Sequence, residues 1–83
     1  MPGVQVTVRL SGRMAERLGN RRTVTLAAGA VVEDLVSEIA RDAGFDPGST
    51  RGIAVVSAGA YVSRGRPLAD GEELDVLVPV AGG

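Results

Sequence analysis

Val4, Val6, Val8 and Leu10 alternate with Gln5, Thr7 and Arg9, the period-two pattern of a strand with one buried face. Ser11 is placed to cap a short helix over Gly12–Leu18, where Met14 and Leu18 lie one turn apart and Gly19 ends the turn. A second strand is expected over residues 23–27, with Val24 and Leu26 inward. The period then changes. Across residues 30–43, Val31, Val32, Leu35, Val36, Ile39, Ala40 and Ala43 form one apolar stripe at helical spacing, and Glu33, Asp34, Ser37, Glu38, Arg41 and Asp42 lie opposite. Gly44 suits the left-handed residue that closes such a helix, with Phe45 folding back near Ala40 as in a Schellman ending.

Asp46-Pro47-Gly48 reads as a turn, followed by an almost continuously apolar strand over residues 52–57. Ala58-Gly59-Ala60 leads to a short edge strand over residues 61–63, and Arg64-Gly65-Arg66-Pro67 and Asp70-Gly71 are further turns. Leu74, Val76 and Val78 alternate with Asp75 and Leu77 in a final strand. Pro79 removes a backbone donor and stops the ladder there. The order predicts an α+β domain, a mixed sheet with its main helix on one face. One domain spans residues 1–83, with residues 79–83 as an exposed C-terminal tail.

Composition narrows the chemistry. With 45% hydrophobic residues the chain is too apolar for intrinsic disorder, and no apolar run approaches the roughly 18 residues of a membrane span. A net charge of −1 argues against nucleic acid as the main partner. The N-terminus lacks a signal-peptide layout, so a cytoplasmic protein is expected. Cys and His are absent and all nine basic residues are Arg, which excludes a thiol nucleophile, the commonest general base and Schiff-base chemistry. No bound cofactor or metal is expected, and the chain is not expected to catalyse a reaction alone. Charge is uneven: residues 1–28 carry a net +4, residues 29–50 a net −4 and residues 51–83 a net −1. That pattern fits either a mixed solvated surface or a face that steers a partner of complementary charge.

The group left for a partner enzyme to act on is the Gly83 carboxylate. A carboxylate is a poor electrophile until an oxygen becomes a leaving group, which requires adenylation. Gly82 and Gly83 have no Cβ and so pass a narrow channel and leave the carbonyl open to attack, while Pro79, Val80 and Ala81 stiffen the exit without bulk. The competing reading is an incidental frayed end in a glycine-rich chain. Leu77, on the opposite face from Leu74 and Val76, is a candidate partner contact or a scattered surface apolar residue.

Val8-Arg9-Leu10 through Leu18-Gly19, the helix over residues 31–43, and Pro67-Leu68-Ala69-Asp70-Gly71-Glu72-Glu73-Leu74 running into Val78-Pro79-Val80-Ala81-Gly82-Gly83 resemble the ubiquitin-like sulfur-carrier family. That family includes the small subunit of molybdopterin synthase and the sulfur carrier of thiamine biosynthesis. The resemblance implies a β-grasp fold and a Gly83 carboxylate adenylated by an ATP-using activating enzyme. It further implies conversion to a thiocarboxylate by a persulfide or sulfide donor, and sulfur delivery to an accepting subunit. The Pro-Val-Ala-Gly-Gly ending leans towards the molybdopterin branch, whose acceptor is the large synthase subunit. Carriers for cysteine, thiamine or secondary metabolites, a ubiquitin-like protein modifier, and a non-catalytic β-grasp interaction module are the alternatives.

Overall fold

A computed structural model describes residues 3–78, apart from the side chains of Pro47 and Ser49. Five strands and two helices follow in the order β1 (Val4–Leu10), α1 (Gly12–Leu18), β2 (Arg21–Leu26), α2 (Val32–Asp42), β3 (Ala54–Ser57), β4 (Ala60–Tyr61) and β5 (Glu73–Leu77), with a 3₁₀ turn at Pro47–Thr50. The strands form one mixed sheet in the order β2-β1-β5-β3-β4. β1 and β5 lie side by side in parallel, and every other pairing is antiparallel. This is the β-grasp arrangement that the resemblance implied.

The alternating residues of β1 and β5 explain the layering. Val6, Val8, Leu74 and Val76 point to one face, where Val55 of β3 and Val24 of β2 join them. Leu35, Val36 and Ile39 of α2 cover that face and are fully buried, with Val32, Ala40 and Ala43 completing the helix stripe. Each buried Val, Leu or Ile among them contributes about 1.5–3 kcal/mol by leaving water.

The ends of α2 are built differently. At its C-terminus Gly44 takes φ 80°, the Phe45 N–H donates to Ala40 O at 2.8 Å and the Gly44 N–H to Arg41 O at 3.1 Å, the expected Schellman pair. At its N-terminus the helix begins at Val32, one residue later than expected. Val31 is extended and bridges to Pro67, while the Val32 and Glu33 N–H groups donate to the carbonyls of Arg66 (2.9 Å) and Arg64 (2.8 Å). A loop distant in sequence thus satisfies amides that a hydroxyl cap would otherwise serve. Asp34 adds a local bond, accepting the Val31 N–H at 2.9 Å.

Other boundaries shift for stated reasons. β2 starts at Arg21 because Arg21 and Arg22 pair with Arg9 and Val8, and it stops at Leu26 opposite Val4. The turn expected at Asp46-Pro47-Gly48 continues as the 3₁₀ segment Pro47–Thr50, so β3 begins only at Ala54. Ser57 pairs with Ala60 across a two-residue turn, Ala58 (φ 52°) and Gly59 (φ 83°), which pulls the start of β4 forward to Ala60. Positive φ at both central residues is the type I′ geometry that matches strand twist.

Candidate functional site: the last strand and the open sheet face

The sequence places its proposed chemistry on Gly83, Gly82, Ala81, Val80 and Pro79, all of which lie outside the described residues. The structure describes the element that leads to them. β5 occupies the middle of the sheet between β1 and β3, so backbone pairing holds both of its edges.

The start of β5 is fixed by Glu72. Its side chain is only 10% exposed and receives Arg66 through Nη1 (3.1 Å) and Nη2 (2.7 Å), the Ser57 hydroxyl at 2.7 Å and the Ala69 N–H at 3.0 Å. The hydrogen bonds from Arg66, opposed in part by burial and reinforced by Ser57 and Ala69, bring its carboxyl from 4.5 down to about 2. The preceding turn is tied to β1, with the Gly71 N–H donating to Gln5 O (2.7 Å) and the Gln5 N–H donating to Asp70 Oδ1 (2.8 Å). Asp70-Gly71 is therefore a turn, as its sequence predicts, and also a clasp between the first strand and the last.

On the face away from α2, strand pairing lines up Arg21, Arg9, Asp75, Val56 and Tyr61 in one row across the sheet. Arg9 grips Asp75 with two bonds, Nε–Oδ1 at 2.6 Å and Nη2–Oδ2 at 3.1 Å, and Arg21 reaches Glu73 at 3.3 Å. The hydrogen bond to Asp75, and then its charge, raise the Arg9 pKa above the ordinary arginine value. On β3, β4 and the end of β5 the same face is apolar. Leu77 is 40% exposed and pairs with Ala54, and Tyr61 is 76% exposed beside half-buried Val56. Leu77, expected as a candidate contact, thus belongs to a patch at the end of β5.

Ala54, Val56 and Tyr61 were not singled out with Leu77 by the sequence. In β3 the run Ile53-Ala54-Val55-Val56 shows no alternation, so it reads as a strand buried on both faces. In the structure Ile53 and Val55 are buried and Ala54 and Val56 are partly open. Ser11 was expected to cap α1. It occupies the N-cap position in extended geometry but makes no side-chain cap bond. Its hydroxyl instead donates to Val76 O at 3.3 Å and accepts the Val78 N–H at 3.4 Å. Among the described residues no three His, Cys, Asp or Glu side chains converge to hold a metal ion, and no helix is long and apolar enough to cross a membrane.

The family model of the ThiS family matches residues 8–83. No curated protein matches the chain in sequence. Among solved structures, molybdopterin converting factor, subunit 1, from Pyrococcus furiosus is similar with 27% identity and a TM-score of 0.74, covering 93% of this chain and 99% of that one. The small archaeal modifier protein 1 of H. volcanii superposes with a TM-score of 0.77 at 23% identity, over 94% of this chain and 100% of that one. The ubiquitin of Caldiarchaeum subterraneum does so with a TM-score of 0.70 at 14% identity, over 98% and 99%. The last two establish the ubiquitin-like fold, and the model match reaches from β1 through the final glycines. The chain belongs to the ThiS family.

Proposed function

We propose that this protein is a sulfur carrier that works through the carboxylate of Gly83. The carboxylate attacks the α-phosphate of ATP on a partner enzyme, giving an acyl-adenylate and pyrophosphate. Sulfide then displaces AMP to leave a thiocarboxylate. With a persulfide donor the terminal sulfur attacks and a thiol reduces the resulting acyl disulfide. The thiocarboxylate sulfur is finally given to an acceptor in a biosynthetic enzyme. The observation that carries this reading is the ThiS family match, which runs through residue 83. Within that role we favour the small subunit of molybdopterin synthase, on the similarity to the P. furiosus molybdopterin converting factor subunit. The apolar patch of Leu77, Val56 and Tyr61 would dock the activating enzyme or the acceptor subunit beside the tail.

The test is the intact mass after incubation with ATP, sulfide and an activating enzyme from the same host. A gain equal to one oxygen-to-sulfur exchange, mapped to Gly83 and lost on Gly83 deletion, is the expected result. An unchanged mass, with the enzyme active on another carrier, would overturn the reading. A second reading draws on the likeness to small archaeal modifier protein 1. A lysine amine attacking the same adenylate would give an isopeptide link to a target protein. Covalent adducts in the host that survive reduction would favour it.

A further inference from the structure

We infer that Ser11 is a positioning residue for the C-terminal segment, holding Val78, the last described residue before Pro79–Gly83. This role rests on the sulfur-carrier reading above. β1 and β5 run together in parallel as far as the pair Leu10 and Val76. There the β1 backbone turns away into α1, the Ser11 carbonyl accepting the Ala15 N–H at 3.4 Å. β5 continues past that point, and the Ser11 hydroxyl takes over where the backbone of β1 departs. It donates to Val76 O at 3.3 Å and accepts the Val78 N–H at 3.4 Å. One hydroxyl has the donor and the lone pairs to do both at once.

Two further features fit the same role. A serine at a helix N-cap ordinarily spends its oxygen on the second or third amide of that helix. Here α1 receives no side-chain cap bond, so the hydroxyl serves the strand. The next residue, Gly12, has φ 58°, and a Cβ built on it would meet the Val78 Cβ at 3.7 Å. Val78 is held by the Ser11 hydroxyl and by the core against which its side chain packs, with Gly12 lying close by. Fixing Val78 removes its torsions from the search that must bring the terminal carboxylate to the ATP site, which is preorganisation in the ordinary sense.

The experiment compares wild type, Ser11→Ala and Ser11→Thr by amide hydrogen exchange and by pyrophosphate release with the activating enzyme at varied carrier concentration. In Ser11→Ala, Val78 amide exchange should quicken roughly five-fold, the factor expected from one lost hydrogen bond, with the amides of Val6 and Leu35 unchanged. The KM for the carrier should rise by roughly the same factor, again from that one bond, with kcat unchanged. Ser11→Thr, which keeps the hydroxyl, should restore both. Unchanged Val78 exchange in Ser11→Ala would overturn the bond. Faster exchange with unchanged KM would leave Ser11 a purely structural residue and overturn the positioning role. A Thr variant as impaired as Ala would do the same. Failure of wild type to be activated, by an enzyme active on another carrier, would instead sink the sulfur-carrier reading and this role with it, while the exchange rates still report on the bond.

Discussion

The two faces of the sheet are made from the same strands and obey different rules. Under α2, the buried positions among the described residues are all apolar, Val6, Val8, Leu74 and Val76 below and Leu35 and Ile39 above, with Arg22 of β2 reaching Asp42 of α2 only at the rim. On the far face the charged positions are already paired, Arg9 with Asp75 and Arg21 with Glu73, Gln5, Thr7, Thr23 and Thr25 are polar and uncharged, and Ala54, Val56, Tyr61 and Leu77 are apolar and uncovered. Stability resides in the first face, because area removed from water is what folding gains. Ion pairs as exposed as those on the second contribute little. The open face is therefore free to be shaped for contact, and its apolar part reaches Leu77 at the end of β5.

Substitutions can break this contrast. The largest effect is expected at Leu35 or Ile39, where truncation to Ala should cost about 2–5 kcal/mol in urea unfolding. If Leu77→Ala cost as much, the distinction between the faces would fail.

Next comes Glu72, which fastens the covered face at the start of β5. Its carboxyl is depressed in the folded chain, from 4.5 to about 2, so its contribution is present above about pH 4.5 and disappears as pH falls towards 2. Glu72→Gln should lower stability at pH 7 by about 1–3 kcal/mol. It should also flatten the acid limb between those pH values. An unaltered acid limb would show that the Arg66–Glu72 pair is not coupled to folding.

A smaller, opposite effect is expected at the hairpin that presents Tyr61. Ala58 sits at φ 52°, a conformation that strains an L-residue with a Cβ and that Asn tolerates better. Ala58→Asn should stabilise the protein by about 0.5–1 kcal/mol, read as a rise in Tm. A fall would mean that the turn is not type I′ in solution.

The smallest stability effects belong to the open face. Leu77→Ser and Tyr61→Ala should change unfolding free energy by no more than about 0.5 kcal/mol. They should nevertheless weaken binding of the activating enzyme or the acceptor, measured by titration calorimetry. Unimpaired binding of the double variant would remove the patch from the proposed interface.

Much of this contrast is legible along the chain. The stripe from Val32 to Ala43 fixed the covered side of α2, and Gly44-Phe45 its ending, because a helix turn and a Schellman pair are local in sequence. The alternation in β1 and β5 likewise assigned Val8 and Val76 to the core and Leu77 to the other side. Ubiquitin-like family membership was also readable from motifs, and the ThiS match bears it out.

What remained hidden depends on residues far apart in the chain. β5 lies against β1 in parallel because α2 carries the chain from β2 back across the sheet, so that β3 runs the same way as β2 and β5, antiparallel to β3, runs the same way as β1; no local pattern states that pairing. The start of α2 moved to Val32 because the carbonyls of Arg64 and Arg66 arrive from a distant loop. β3 reads as buried on both faces, since Ala54 and Val56 are apolar, and only the absence of a covering layer opens one of them. Ser11 stands at a helix start in the sequence and serves the last strand in the fold. The residue type supplied a hydroxyl, and the meeting of β1 with β5 decided what it would hold. Periodicity determines which side of an element is apolar, because side-chain direction repeats with the backbone geometry. Only the closed tertiary structure decides which elements meet, and so which polar groups find partners across the chain.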